Sequence, residues 1–553
     1  MMVLLSLGIA PWAKAQTFDK LWKQVEQAEQ KSLPQTVIQL TDRIYKKAET
    51  ERNSPQMLKA YTWRMKYRET LTPDSFYVSL KGLEQWAETT DKPMDRAVLN
   101  SLIAGIYADY ASSNRWQIRQ RTNIVDEAPS SDIREWSSNM FVQQVMKYTA
   151  GSLQDTGLLL NTSSRIYIPF VKLGDTSEYY HHDMLHLLGS RGVDALSNVM
   201  GLDKDSVVQT SVENVYLGML DAYEKAGMDD GYVLCKLDYL NWKRNSDPTF
   251  VPYRAPQNLI GLTQDPYLAG LDKLKADFKS HDVCAEVYLA KARYAVEKQQ
   301  QVMALQICDE AIRLYPDYKR INALKNLKQE ILNPALYVRA DQVVYPDTDM
   351  KLMVNHKNID GFTVQLYQSK KRVAEQHYSL LRPQNYQNQD TVFTLKAPAI
   401  GEYVMRIVPD AKARENSESK LSVTRFKVLT LRLPGDQYEV VALDCMSGQP
   451  VEDAVVTLYT NDEKKLTEFI TDSEGRATFP YKREYRYLVA TKGDDTAMPL
   501  QGIYGGSYNY YTDKKPVNSV KLLTDRSLYR PGQTVYVKGI AYMQKSDTAN
   551  VLP

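Results

Sequence analysis

The feature that most restricts what this chain can fold into is a change of hydrophobic period near Leu336. Before it, apolar side chains recur at the spacing of about 3.6 residues that marks helices. After it, they alternate with polar neighbours, as in strands with one wet face. One core cannot serve both patterns across 553 residues, because a domain commonly holds about 100–200 residues. The expected fold is multidomain: an α-helical, repeat-like N-terminal region followed by antiparallel β-sandwich domains.

The helical region is expected over 16–335. Val37, Leu40, Ile44 and Ala48 fall on one helix face, and Leu99, Leu102, Ile106 and Tyr110 on another. Pro34, Pro55, Pro73, Pro93 and Pro129 separate or start segments, since proline suits a first turn and breaks an interior. Val283 to Val296 reads as a helix carrying Tyr288, Leu289, Ala292 and Ala295 inward. Leu305, Cys308, Ile312 and Tyr315 form the next face, Pro316-Asp317-Tyr318 stops it, and Ile321, Leu324 and Leu327 begin another. That cadence, with Ala311-Ile312-Arg313-Leu314-Tyr315-Pro316, resembles one tetratricopeptide unit. Gly151 to Tyr180 is not read as continuous helix, and Leu259 to Gly270 reads as loop with short helices.

Downstream, a first sandwich is expected over 336–428, from Leu352 and Val354, from Phe362, Val364 and Leu366, from Tyr403, Met405 and Ile407, and from Leu421 and Val423. A second is expected over 429–500. There Ala454 to Tyr459 is a strand, and Thr471-Asp472-Ser473-Glu474-Gly475 is a tight turn with Gly475 at positive φ. A Gly/Tyr-rich linker spans 501–516. A third β unit, over 517–553, has too few strands to close a core, so the chain reads as the front of a longer protein.

At the start, Val3 to Ile9 form a short apolar run, followed by Pro11 and Ala13-Lys14-Ala15. This is the small-x-small pattern of a signal peptide over 1–15, cleaved before Gln16, although no Lys or Arg precedes the run. Export to the periplasm, cell envelope or medium is the expectation. No segment reaches the roughly 20 apolar residues needed to span a bilayer. With 69 basic against 67 acidic residues and a formal charge of +2, the chain lacks the positive field that a nucleic-acid backbone requires. Cys235, Cys284, Cys308 and Cys445 show no C-x-x-C spacing and read mainly as small buried hydrophobes, with Cys284 and Cys308 placed to pair if oxidised.

The run Leu522-Leu523-Thr524-Asp525-Arg526-Ser527-Leu528-Tyr529-Arg530-Pro531-Gly532-Gln533-Thr534-Val535-Tyr536-Val537-Lys538-Gly539 resembles the opening of the second macroglobulin-like domain of bacterial alpha-2-macroglobulins. Pro531-Gly532 suits a type II turn, and Asp525 and Arg526 suit a charged corner beside Tyr529. The segment Val344-Tyr345-Pro346-Asp347-Thr348 resembles part of a first macroglobulin-like domain, in which many relatives carry Gly at the place of Asp347 or Thr348. Val451-Glu452-Asp453-Ala454-Val455-Val456 and Thr471 to Ala477 resemble a carboxypeptidase-regulatory or transthyretin-like sandwich. The helical region is similar to the extension on large members of Bacteroidetes type.

The resemblance implies an envelope endopeptidase inhibitor that traps proteases, with proteases and other envelope proteins as partners. It implies no enzyme activity and no cofactor. It also places any Cys–Gln thioester outside these residues, because no Cys-x-x-Gln occurs here. Two other functions remain open: an envelope adhesion or assembly module, and a glycan-binding protein.

The structural positions singled out are Asp525, Arg526, Tyr529, Pro531, Gly532, Lys538 and Gly539. Tyr504, Tyr508, Tyr510 and Tyr511 form a possible ligand patch or a packed linker. His181, His182, Asp183 and His186 hold half of the chain's six histidines. On a helix, His182 and His186 would share a face and suit zinc, but Asp183 stands where the zincin motif needs Glu. The expectation is an interfacial helix with no metal. The Asp472–Glu474 turn is too short for a calcium loop.

Overall fold

The computed structural model describes residues 12–121, 132–174, 177, 180–203, 205–246, 265–411, 418–433, 435–499, 503, 517–524, 534–544 and 550–551. The chain divides into two compact units, Met1–Lys328 and Gln329–Pro553.

The first unit is helical: α1 (Trp12–Gln30), α2 (Pro34–Thr50), α3 (Ser54–Leu71), α4 (Ser75–Thr89), α5 (Pro93–Ser113), α6 (Arg115–Arg119), α7 (Ser138–Ser152), α8 (Thr156–Leu160), α9 (Met184–Val199), α10 (Asp205–Ala226), α11 (Asp229–Ser246), α12 (Pro266–Asp277), α13 (Cys284–Glu297), α14 (Gln301–Leu314) and α15 (Ile321–Leu332), the last running to the start of the second unit. Local chemistry sets the starts. Proline opens α2, α5 and α12, where its missing N–H is not needed. The side chains of Asn53, Asp183 and Asp265 accept backbone N–H bonds and so cap α3, α9 and α12.

The first helices close a small core of Phe18, Trp22, Val25, Val37, Leu40, Ile44 and Ala48. A larger core runs from Leu58 to Leu324. The expected α2 face is buried as read. On α5 the balance differs. Leu99 is buried, but so are Val98, Ile103, Ala104, Tyr107, Ala108 and Ala111, while Leu102, Ile106 and Tyr110 are only partly covered. This helix is packed around most of its circumference, so the periodicity selected a secondary stripe. Among the described residues between 151 and 180, the helical parts are the end of α7, α8 and a 3₁₀ turn over Ser164–Tyr167. Of the segment 259–270, residues 259–264 lie outside the described residues, and Pro266–Asp277 is a regular helix. Among the described residues, no helix is long and apolar enough to cross a membrane.

The second unit is built of strands: β1 (Ala335–Ala340), β2 (Val343–Val344), β3 (Asp349–Lys357), β4 (Gly361–Gln368), β5 (Lys371–Ser379), β6 (Gln389–Lys396), β7 (Gly401–Pro409), β8 (Ser419–Val423), β9 (Phe426–Leu433), β10 (Gln437–Asp444), β11 (Val455–Tyr459), β12 (Lys465–Ile470), β13 (Arg476–Pro480), β14 (Tyr487–Lys492), β15 (Asp495–Ala497), β16 (Val517–Thr524), β17 (Val537–Gln544) and β18 (Asn550–Val551). A sheet ordered β1-β3-β6 and one ordered β2-β8-β7-β4-β5 share a core of Leu336, Leu352, Val354, Phe362, Val364, Met405, Ile407 and Leu421. Their pairs are antiparallel except β2 with β8. Sheets β13-β10-β9 and β12-β11-β14-β15 enclose Phe426, Val440, Val456, Leu458, Phe479 and Leu488. Two sandwiches therefore follow one another, as alternation implies.

The first core ends at Val423 and the second begins at Phe426. The changeover comes slightly before the 428/429 boundary read from the sequence, because β9 pairs along its whole length with β10. Gly475 adopts φ +71°, and a Cβ there would run into the Ala442 carbonyl. Asp347 adopts φ +57°, the conformation that glycine takes most easily. In the third β unit Thr524 pairs with Val537, the first residue of β17. Val520, Leu522 and Val537 are exposed there.

A polar cleft in the helical unit

In the helical unit, the residues suited to chemistry gather beside α9, α11 and α13. Asp183 precedes α9 and is buried. One carboxylate oxygen accepts the His186 backbone N–H at 2.6 Å, and the Tyr223 hydroxyl donates to both oxygens at 3.1 and 3.2 Å. Burial outweighs these bonds and pushes the Asp183 carboxyl up to about 6. His186 lies flat against Tyr180, with ring centroids 3.4 Å apart and planes 5° apart. Its imidazole is pushed down to about 4 by burial, so it is neutral at pH 7. The Tyr180 hydroxyl donates to Asp238 at 3.0 Å. Asp238 has surface open to the cleft, yet enough protein surrounds its carboxyl to raise its pKa.

Tyr180, His186 and Asp238 form one wall of an open cleft of about 460 Å³, which continues along Asn241, Glu286 and Arg293. Arg244 pairs with Glu297 and lies over the rings of Tyr267 and Tyr294, 5.0 and 4.8 Å from their centroids. Arg320 stands 3.4 Å from Glu286, which also accepts the Tyr318 hydroxyl at 3.0 Å. Most of the cleft's charge is therefore compensated internally. The nearby Cys235 thiol is buried and its pKa is raised by desolvation, which disfavours the thiolate that would act as a nucleophile. Among the described residues no group of three or more His, Cys, Asp or Glu side chains could hold a metal ion.

The histidine pair read from the sequence does not form a helical face. The α9 helix starts at Met184 because Asp183 caps it, and His181 and His182 precede it at φ +54° and +57°. The Arg165 guanidinium lies 2.7 Å from His182 Nε2, so that nitrogen is engaged away from His186. In the Asp472 turn the carboxylate accepts the backbone N–H groups of Glu474 and Arg476, both at 2.9 Å, which is a hydrogen-bonded turn. All four cysteines are free thiols.

Lys538 and Gly539 lie in β17, with Gly539 opposite Leu522. Asp525, Arg526, Tyr529, Pro531 and Gly532 lie outside the described residues, as do Tyr504, Tyr508, Tyr510 and Tyr511. The sequence reading missed Asp238, Arg244, Tyr267, Glu286 and Arg293. The available signal was a polar residue inside an otherwise apolar helical stripe, as in Leu234, Leu237, Asp238 and Asn241 of α11.

No protein-family model matches the sequence, and no curated protein matches it. Solved structures with some likeness include native alpha-2-macroglobulin from Escherichia coli spanning domains MG0-NIE-MG1, at 14% identity and a TM-score of 0.27, covering 31% of this chain and 64% of that one. A Salmonella alpha-2-macroglobulin mutant gives 15% identity and a TM-score of 0.27, covering 38% and 15%. Red sea bream transglutaminase gives 14% and 0.19, covering 34% of each chain. The likeness thus spans less than two thirds of each of these chains, and at such scores it assigns neither family nor activity.

Proposed function

We propose that this chain is a scaffold portion of an alpha-2-macroglobulin-like endopeptidase inhibitor of the bacterial envelope. It would be exported by a signal peptide over 1–15. The helical region would hold tandem macroglobulin-like and transthyretin-like sandwiches in place for a protease trap. The observation that carries this reading is the Leu522–Gly539 run, which follows two successive sandwiches in the order the sequence resemblance implies. Asp347 adds support: it takes a left-handed conformation, and it is one of the two places, with Thr348, where many relatives of the resembled family carry glycine. The cleft chemistry agrees with a role without catalysis, because burial makes its stacked histidine a weak base and disfavours the thiolate of the nearby Cys235.

The test is native mobility and mass of the exported protein, isolated from cells, before and after limited cleavage by several unrelated proteases, with this chain run in parallel. Compaction with retention of the protease is expected for the exported protein and not for this chain. Absence of both would overturn trapping and favour an adhesion or assembly role.

A further inference from the structure

A second, chemically different cavity lies in the helical unit, away from the charged cleft. It is a groove of about 290 Å³ between α7 and α10 with its floor on α9. Met146, Leu153, Leu185, Leu196, Val215 and Met219 supply its apolar lining. Thr156, Ser211 and Asn214 are among its polar residues, and none of the described residues that line it is charged. Leu185 and Leu196 are each only 1% exposed, so the floor belongs to the core and is preformed.

Two details indicate what the groove takes. Thr149 lines it and is 2% exposed, and its hydroxyl has no hydrogen-bond partner. A buried hydroxyl without a partner costs free energy that a polar ligand atom can recover. Gly218, on the α10 wall, has space beside it, since a Cβ there would meet nothing within 4 Å. The volume lies near the lower end for small-molecule sites. Absence of charge in the lining disfavours an ionic ligand, whose desolvation nothing here would offset. We propose that this groove binds a neutral, largely apolar small molecule carrying one hydroxyl or carbonyl group, which hydrogen-bonds to Thr149.

The test uses 2-naphthol and naphthalene as matched fluorescent probes with the whole chain. Gly218→Leu places a side chain into the groove and replaces a helix-interior glycine, so the variant should be at least as stable as the parent. Both probes are expected to bind the parent chain and to lose binding at least tenfold in Gly218→Leu. Thr149→Val should weaken 2-naphthol about five- to tenfold, the worth of one hydrogen bond, and leave naphthalene unchanged or tighter. Thermal melts of both variants confirm that they are folded. Failure of both probes to bind the parent, equal binding to Gly218→Leu, or equal effects of Thr149→Val on the two probes would each overturn the proposal.

Discussion

The helical and β units solve the problem of interior polarity in different ways. In the helical unit, tyrosine hydroxyls donate to carboxylates on other segments: Tyr107 and Tyr148 to Glu84, Tyr167 to Asp95, Tyr223 to Asp183, Tyr288 to Glu310 and Tyr318 to Glu286. In the β unit, Tyr378 and Tyr403 donate to the backbone carbonyls of Thr394 and Ala399. Its one buried acid among the described residues, Asp495, accepts the Arg425 backbone N–H at 2.8 Å. Strand alternation sends polar groups to the wet face. Helices packed on several sides cannot do so, and a tyrosine reaches between helices with an apolar ring and a polar tip. Tyr61 and Tyr315 are exceptions that donate to the Ser79 and Lys279 carbonyls, but the helical unit depends mainly on side-chain acids, whereas the β unit depends mainly on backbone geometry.

The largest effect should come from attacking that geometry. Gly475→Val forces a β-branched side chain into positive φ and against the Ala442 carbonyl, and should cost about 3 kcal/mol or more. Chemical denaturation reads it, and a loss below about 1 kcal/mol would show that the turn relaxes freely.

A change of pH within the helical unit comes next. Asp183 binds its proton more tightly folded than unfolded, so its contribution is full below about 3.9 and is lost as pH rises through about 6. His186 is opposite: its contribution is present above about 6.5 and is lost as pH falls through about 4. Each shift is worth up to about 3 kcal/mol, and the two largely offset. His186→Gln should therefore make the helical unit gain stability between pH 7 and pH 5, and Asp183→Asn should make it lose stability. Segment-resolved hydrogen exchange, corrected for intrinsic rates, measures both. Slopes of the same sign in the two variants would refute the assignment.

Smaller effects sharpen the β side. The Thr471 hydroxyl donates to the Val451 carbonyl at 2.7 Å and accepts the Ala454 N–H at 2.9 Å. Thr471→Val strands both partners and should cost about 2 kcal/mol; melting temperatures would report it, and an unchanged value would mean that water or a shifted backbone replaces the bonds. Asp347→Gly relieves a left-handed residue and should stabilise by about 0.5 kcal/mol, visible as a small rise in denaturation midpoint. A fall would show that the Asp347 side chain contributes more than its strain costs.

How far the sequence could be read follows the same division. Leu352, Val354, Phe362, Val364, Leu366, Met405 and Ile407 were readable as core because strand alternation is local, and all are buried. Gly475 was readable because turn chemistry is local too. The helical site was not. Tyr180 and Asp238 are 58 residues apart and Tyr223 and Asp183 are 40 apart, so no spacing rule joins them. The clustered histidines stood out instead, and the Asp183 cap that starts α9 removed the face that His182 and His186 were expected to share. The chain's 38 tyrosines were the overlooked sign, since so many phenols need polar partners when buried.

The most direct measurement is a matched pair, Tyr167→Phe and Tyr378→Phe, compared by calorimetry of the full chain. Tyr167 is buried and donates to Asp95 at 2.6 Å, while Tyr378 is buried and donates to a neutral carbonyl at 2.8 Å. Tyr167→Phe should cost about 2–3 kcal/mol and Tyr378→Phe about 1 kcal/mol, each in its own unit. Equal costs, or a larger cost at Tyr378, would contradict the division between side-chain acids and backbone geometry.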